Sequence, residues 1–130
     1  MNQFKHHYTR DEARALLPQV QRWLDRLVSL RDDLERYDDR LTGLLSPGCD
    51  LGGELVNSWV KTMAGIKQTV GEFSQRDIQI KDLDRGLIDF PAIIGGREVF
   101  LCWEHGEDDI EYWHDLDAGY AGREPFSGSD

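Results

Sequence analysis

The 130-residue sequence has only two cysteines, Cys49 and Cys102, only four prolines and no long apolar run. Two cysteines far apart in a sequence with no secretory signal are not expected to form a disulfide scaffold, so both are expected to be reduced thiols. A membrane helix needs about 20 consecutive apolar residues. The start, Met1-Asn2-Gln3-Phe4-Lys5-His6-His7, also lacks the apolar stretch of a signal peptide. Membrane insertion and secretion are therefore not expected, and a cytoplasmic location is. Basic residues are scarce as well, with 15 Lys+Arg against 25 Asp+Glu and a net charge of -10. Nucleic-acid binding is not expected, because phosphates are neutralised by clustered Lys and Arg.

What is present is enough for one folded domain over residues 1–130. Hydrophobic residues make up 39% of the chain, and the 5 Phe, 4 Trp and 4 Tyr suffice for one core. The charge divides unevenly: residues 1–75 carry 10 basic and 11 acidic side chains, whereas residues 76–130 carry 5 and 14. The predicted organisation follows this division, with a helical hairpin over 9–75, an acidic β-meander over 76–123 and a flexible tail over 124–130.

Thr9 and Glu12 form a capping-box pattern, which predicts a helix starting at Arg10. Ala13, Leu17, Val20, Leu24 and Leu27 recur at alternating spacings of four and three, and the stripe continues through Leu30, Leu34, Tyr37 and Leu41. Pro18 predicts a kink near Ala15–Leu17. Thr42-Gly43 and Ser46-Pro47-Gly48 end the pattern. A second stripe of Leu55, Trp59, Met63, Ile66, Val70 and Phe73 predicts a helix over about 53–74, antiparallel to the first. The seam has two readings. It packs on the rest of the domain, or, since two long helices exceed what a small sheet can cover, part of it meets a second copy of the chain. Arg22/Arg26 and Arg36/Arg40 add a basic face to the first helix. A homodimer through the helices is the expected partner arrangement.

From Ile78 the pattern changes to short β-rich runs: 78–81, 87–94, 99–103 and 110–114. A three- to four-stranded antiparallel meander is predicted, so the fold class is α+β. Gly95-Gly96 signals a two-residue hairpin that pairs Ile94 with Arg97 and hence Asp89 with Cys102. A turn centred near Glu107 then sets Cys102 opposite Tyr112 and Phe100 opposite His114. Alternation places Ile88, Phe90, Ile94, Val99, Leu101, Trp103 and Trp113 on one apolar face, expected to meet the helices. The other face collects Leu87, Asp89, Pro91, Phe100, Cys102, Glu104, Ile110, Tyr112 and His114. A carboxylate, thiol, phenol and imidazole among apolar side chains are what a ligand pocket or metal cleft requires.

Several segments resemble one family: Thr9–Pro18, Gln79–Ala92, and Gly96–Trp103 continuing through Gly106-Glu107, Tyr112-Trp113-His114 and Gly119-Tyr120-Ala121-Gly122-Arg123. Together they make the chain similar to the domain of unknown function 2203, a family of small bacterial and archaeal proteins. The resemblance spans the chain and implies no activity, because the family has none assigned. The chain departs from the family pattern at His105.

Five constellations carry candidate chemistry. Cys102-x-x-His105 with His114-x-x-Asp117 has a loose zinc-like spacing. Asp89, Glu104 and His114 form a candidate set for a divalent metal ion, because imidazole with carboxylate suits first-row ions and residues 104–117 hold seven acids and no Lys or Arg. The ordinary alternative is a solvated acidic hairpin with His114 hydrogen-bonded in place. Cys102 with His114 has the residue types of a nucleophile pair, although an apolar strand favours an inert thiol. Asp82, Asp84 and Asp89 surround the turn at Asp84-Arg85-Gly86, where Asp carboxylates bond backbone N–H groups or hold a cation. Gly119-x-x-Gly122-Arg123 either nests an anion or lets the tail fold back over the sheet. The candidate ligand-binding set is thus Asp82, Asp84, Asp89, Cys102, Tyr112, His114 and Arg123. A ligand-binding or interaction module is the first expectation, and a metal-binding protein or metal-dependent enzyme the alternative; substrate and reaction stay open.

Overall fold

A computed structural model describes residues 2–44 and 53–126. Ser46-Pro47-Gly48, Cys49 and the last four residues of the tail lie outside the described residues. Two helices, α1 (Arg10–Leu44) and α2 (Gly53–Ser74), precede five strands: β1 (Gln79–Asp82), β2 (Leu87–Ile94), β3 (Arg97–Glu104), β4 (Tyr112–Asp115) and β5 (Glu124–Pro125). The chain forms two compact units, one of Met1–Arg22 with Phe73–Asp130, the other of Trp23–Glu72. No described helix is long and apolar enough to cross a membrane.

The capping box sets the start of α1. Glu12 N–H donates to Thr9 Oγ1 at 3.1 Å and Thr9 N–H to Glu12 Oε1 at 2.9 Å, so two otherwise unsatisfied donors are paired reciprocally. The helix continues through Pro18. Within the Trp23–Glu72 unit, Leu24, Leu27 and Leu55 are buried. Trp59 Nε1 donates to Asp38 Oδ1 at 2.7 Å, and a Cβ on Gly65 would sit 3.3 Å from Leu30, so the two helices run antiparallel. Thr62 and Thr69 are buried without cost in unmet hydrogen bonds, because their hydroxyls donate to the Ser58 and Gly65 carbonyls one turn back.

In the other unit the five strands form one antiparallel meander in sequence order. The predicted register holds: Ile94 faces Arg97, Asp89 faces Cys102, Phe100 faces His114 and Cys102 faces Tyr112. Gly95 and Gly96 both adopt positive φ, 59° and 77°, the geometry that matches a two-residue turn to the strand twist. Two features extend the prediction. The sheet has five strands rather than three or four, because Glu124 and Pro125 pair with Trp113 and Tyr112 and Phe126 N–H reaches the Glu111 carbonyl. Ile110 precedes β4, so it is buried outside the strand alternation.

Burial covers both faces of the central strands. Ile88, Phe90, Val99, Leu101 and Trp103 are buried on one side, and Asp89, Pro91, Phe100, Cys102 and His114 on the other. An arm ahead of α1 contributes to this cover. Tyr8 N–H donates to the Pro91 carbonyl at 2.8 Å and its ring meets Phe90 edge-on. Phe4 lies against Phe100, with ring centroids 5.4 Å apart. The arm is held by two carboxylates, Glu98 accepting from the Gln3 and Phe4 amides and Asp77 from those of Lys5 and His6. From α1, Arg10 donates to the Ile110 carbonyl and Arg14 to Asp109.

Candidate metal centre

The register brings Asp89, Cys102 and His114 together from three adjacent strands. Asp89 on β2 and Cys102 on β3 are direct partners, and His114 on β4 sits opposite Phe100, two residues along. All three point to the same face because they keep the same parity. One ligand atom from each lies within 4.8 Å of the other two, and they form the only such group of buried residues among those described. Their exposures are 1%, 0% and 2%.

The imidazole of His114 is fixed at both nitrogens. Nδ1 is 2.7 Å from the Asp115 carbonyl oxygen, which can only accept, so Nδ1 carries a proton. Nε2 is 3.0 Å from Asp89 Oδ2, and a second proton lies between these two atoms. Burial pulls the His114 pKa down, but the hydrogen bonds to Asp89 and the Asp115 carbonyl outweigh it and the net shift is upward. The ring of Phe100 packs beside the imidazole at 5.5 Å, and Lys81 lies over the Phe100 ring at 5.0 Å.

Asp89 uses only half of its capacity. Oδ2 meets His114, while Oδ1 is buried with no N–H or O–H donor in reach, the protonated Cys102 thiol being the weak donor beside the carboxylate. A buried unpaired carboxylate oxygen costs roughly 1–3 kcal/mol or more, so this atom marks a place where a cation would be stabilised. Beside it, burial and the Asp89 carboxylate push the Cys102 thiol up to about 12. The thiol stays protonated at neutral pH, which removes it as a free nucleophile. A bound cation reverses that balance, because a coordinating thiol loses its proton outright.

The remaining predicted residues fall into two groups. Tyr112 and Arg123 adjoin the cluster on its face. Tyr112 is the cross-strand partner of Cys102, and the Arg123 guanidinium stacks 3.7 Å over the Tyr112 ring. Glu104 shares the parity of Cys102, but its carboxylate accepts from Arg85 at 2.8 Å and from the Tyr120 hydroxyl at 3.2 Å. It therefore stands outside the ligand group, and Cys102 takes the place expected for it. Asp82 serves the turn, accepting from the Arg85 amide at 3.1 Å, with Asp84 in the same turn. His105 and Asp117 do not join the cluster. Gly86 in this turn has φ +65°, and a Cβ there would stand 2.6 Å from His105 Cβ.

Three contributors escaped the sequence reading: the Asp115 carbonyl that orients His114, Glu107 that holds Arg123, and Phe4 that covers Phe100. The choice of Cys102 over Glu104 was available in principle, since the predicted register already set Cys102, and not Glu104, opposite Asp89.

No curated protein and no solved structure matches the chain. A family described as an uncharacterized conserved protein, DUF2203, matches residues 6–126 of the 130. With the match covering nearly its whole length, the chain belongs to the DUF2203 family.

Proposed function

We propose that this protein binds a divalent metal ion, zinc by preference, through Asp89, Cys102 and His114. The observation that carries the reading is the convergence of three buried metal-ligating side chains around a carboxylate oxygen that has no N–H or O–H donor. A thiolate, an imidazole and a carboxylate together favour zinc over magnesium or calcium, which take oxygen ligands. The His114 Nδ1–H on the Asp115 carbonyl is the outer-shell arrangement that leaves Nε2 free to coordinate. A tetrahedral zinc site sets its ligand atoms roughly 3.3–3.8 Å apart, and a group spanning 4.8 Å closes onto such an ion by small side-chain rotations. Three protein ligands leave one position open. The ion displaces the proton shared by His114 and Asp89 and that of Cys102. Free thiols also suit the cytoplasm, where we place the protein.

The test is reconstitution of the untagged protein with zinc, followed by dialysis and elemental analysis. One zinc per chain is expected for the wild type, with loss of the ion in His114→Ala and Cys102→Ser. Wild-type protein that retains no zinc, or a His114→Ala variant that binds it equally well, would sink the reading.

A second reading, a homodimer through the helices, has its own observation. Val56, Val60, Met63 and Val70 on α2 are exposed and recur at heptad spacing, with Lys67 in the remaining position of the stripe. The stripe is nearly symmetric about Met63, which suits two antiparallel copies of α2 related by a two-fold axis. Light scattering at micromolar concentration should give twice the 15.0 kDa chain mass, and Val60→Asp should halve it. A wild-type monomer excludes this reading.

A further inference from the structure

Besides Asp89 Oδ1, one other buried side-chain atom among the described residues lacks a partner, and it is a donor: Arg123 Nε. Arg123 lies on the same sheet face, stacked on the cross-strand partner of Cys102, and its positive charge acts on the Cys102 thiol. An unmet acceptor and an unmet cationic donor thus stand on one face, and each calls for the opposite kind of ligand.

The guanidinium has little freedom to turn elsewhere. It lies over the ring of Tyr112 at 3.7 Å and that of Tyr120 at 4.7 Å, and its side chain is 10% exposed. Nη2 donates to Glu107 Oε2 at 2.5 Å. The other Glu107 oxygen, Oε1, accepts from the Glu104 amide at 2.8 Å, so the carboxylate cannot swing round to serve Nε as well. Arginine commonly holds a carboxylate or phosphate through two N–H groups; here an acid of the chain occupies one and the other is left over.

We propose that Arg123 Nε is the donor of a subsite for a small oxyanion, a carboxylate or phosphate group, which supplies the open ligand position of the metal ion. The inference rests on the metal reading, because the Asp89 and Glu107 carboxylates act on the Cys102 thiol with negative charge and a dication is what makes an anion welcome beside them. The subsite gives the substrate class of the centre: a molecule that carries a small oxyanion and presents it to the ion and Arg123 together.

The experiment titrates the zinc-loaded protein with acetate and with inorganic phosphate by calorimetry. The cobalt-substituted form serves as a check, since its visible spectrum responds to replacement of a bound solvent molecule. Arg123→Lys keeps the charge and lacks the Nε–H; Arg36→Lys, on α1 where the side chain pairs with Asp33, makes the same exchange outside the centre. The expected result is anion binding that weakens about tenfold or more in Arg123→Lys, changes less than about threefold in Arg36→Lys, and leaves zinc affinity within about threefold in both. Zinc binding with anion affinity unmoved by Arg123→Lys, or with no anion binding in the wild type, overturns the oxyanion subsite alone. Absence of zinc binding in the wild type overturns the metal reading and this inference with it. A variant that binds zinc as the wild type does is folded at the centre, so its anion titration decides the matter.

Discussion

The two faces of β2 and β3 are equally buried and chemically opposite. On one, Ile88, Phe90, Val99, Leu101 and Trp103 present hydrocarbon, and the one polar atom, Trp103 Nε1, donates to the Glu107 carbonyl at 2.9 Å. On the other, Asp89, Cys102 and His114 are just as enclosed, yet an acceptor on Asp89 and a donor on nearby Arg123 are left unmet. The same backbone, turns and register serve both. A buried ion pair seldom adds more stability than well-packed hydrocarbon of the same volume, so folding alone does not account for the second face. The difference teaches that equal burial need not mean equal satisfaction: one side of the sheet is closed hydrocarbon, and the other leaves buried polar atoms unmet, which is where the proposed metal site draws its support.

The sharpest way to break this comparison is to change the smallest of the proposed ligand side chains. Cys102→Ser should weaken zinc binding by at least about 100-fold while changing stability by only about 1 kcal/mol, since a hydroxyl there can donate to Asp89 Oδ1. A competition titration against a zinc chelator, paired with urea denaturation, reads both quantities.

On the hydrocarbon side the pattern should invert. Phe90→Ala should cost about 3–5 kcal/mol in the same denaturation experiment, because a fully buried ring leaves a cavity, and the surviving folded protein should keep its zinc affinity. Equal loss of zinc in Phe90→Ala would erase the distinction between the faces.

A smaller effect comes from the turn that joins β1 to β2. Gly86→Ala combines a φ of +65° with a Cβ 2.6 Å from His105 Cβ, so stability should fall by about 1–3 kcal/mol from the backbone, with the clash added. The thermal midpoint should drop, and a midpoint unchanged from the wild type would contradict the close approach of the two turns.

The smallest effect is expected at the arm that covers the polar face. Burial would raise the Glu98 pKa, but the hydrogen bonds from His7 and from the Gln3 and Phe4 amides hold it below the usual carboxylate range. The His6 amide is foremost in lowering that of Asp77. A lowered pKa means that this contribution is present above the unfolded value, about 4, and is lost as pH falls through the folded one. The amide resonances of residues 3–6 should therefore shift together on acidification below about pH 4, and Glu98→Gln should release Gln3 and Phe4 at neutral pH. Resonances that stay in place through the titration would mean the two carboxylates do not hold the arm.

Much of the centre was legible because hairpin geometry is discrete. A two-residue Gly-Gly turn admits one register, and that register alone placed Asp89 against Cys102 and, through the next turn, Phe100 against His114. Glu104 was the less legible choice. Composition marked it as one acid in an acidic stretch, but an acid's role depends on the nearest cation, and Arg85 lies 19 residues earlier in the chain. The same limit applies to Arg123, whose partners Tyr112, Tyr120 and Glu107 come from separate segments, and to the arm, where Phe4 meets Phe100 across most of the sequence.

The sequence by itself therefore determined the elements whose causes are local: the capped start of α1, the helical stripes, the glycine turns and the strand alternation that separates an apolar face from a polar one. Periodicity, capping and turn chemistry act over a few residues and need no knowledge of what lies opposite. Only the tertiary structure decided which polar groups are satisfied. It turned Glu104 away to Arg85, left Asp89 Oδ1 and Arg123 Nε unmet, and enclosed them, because hydrogen-bond satisfaction and burial depend on every segment that reaches the same point in space.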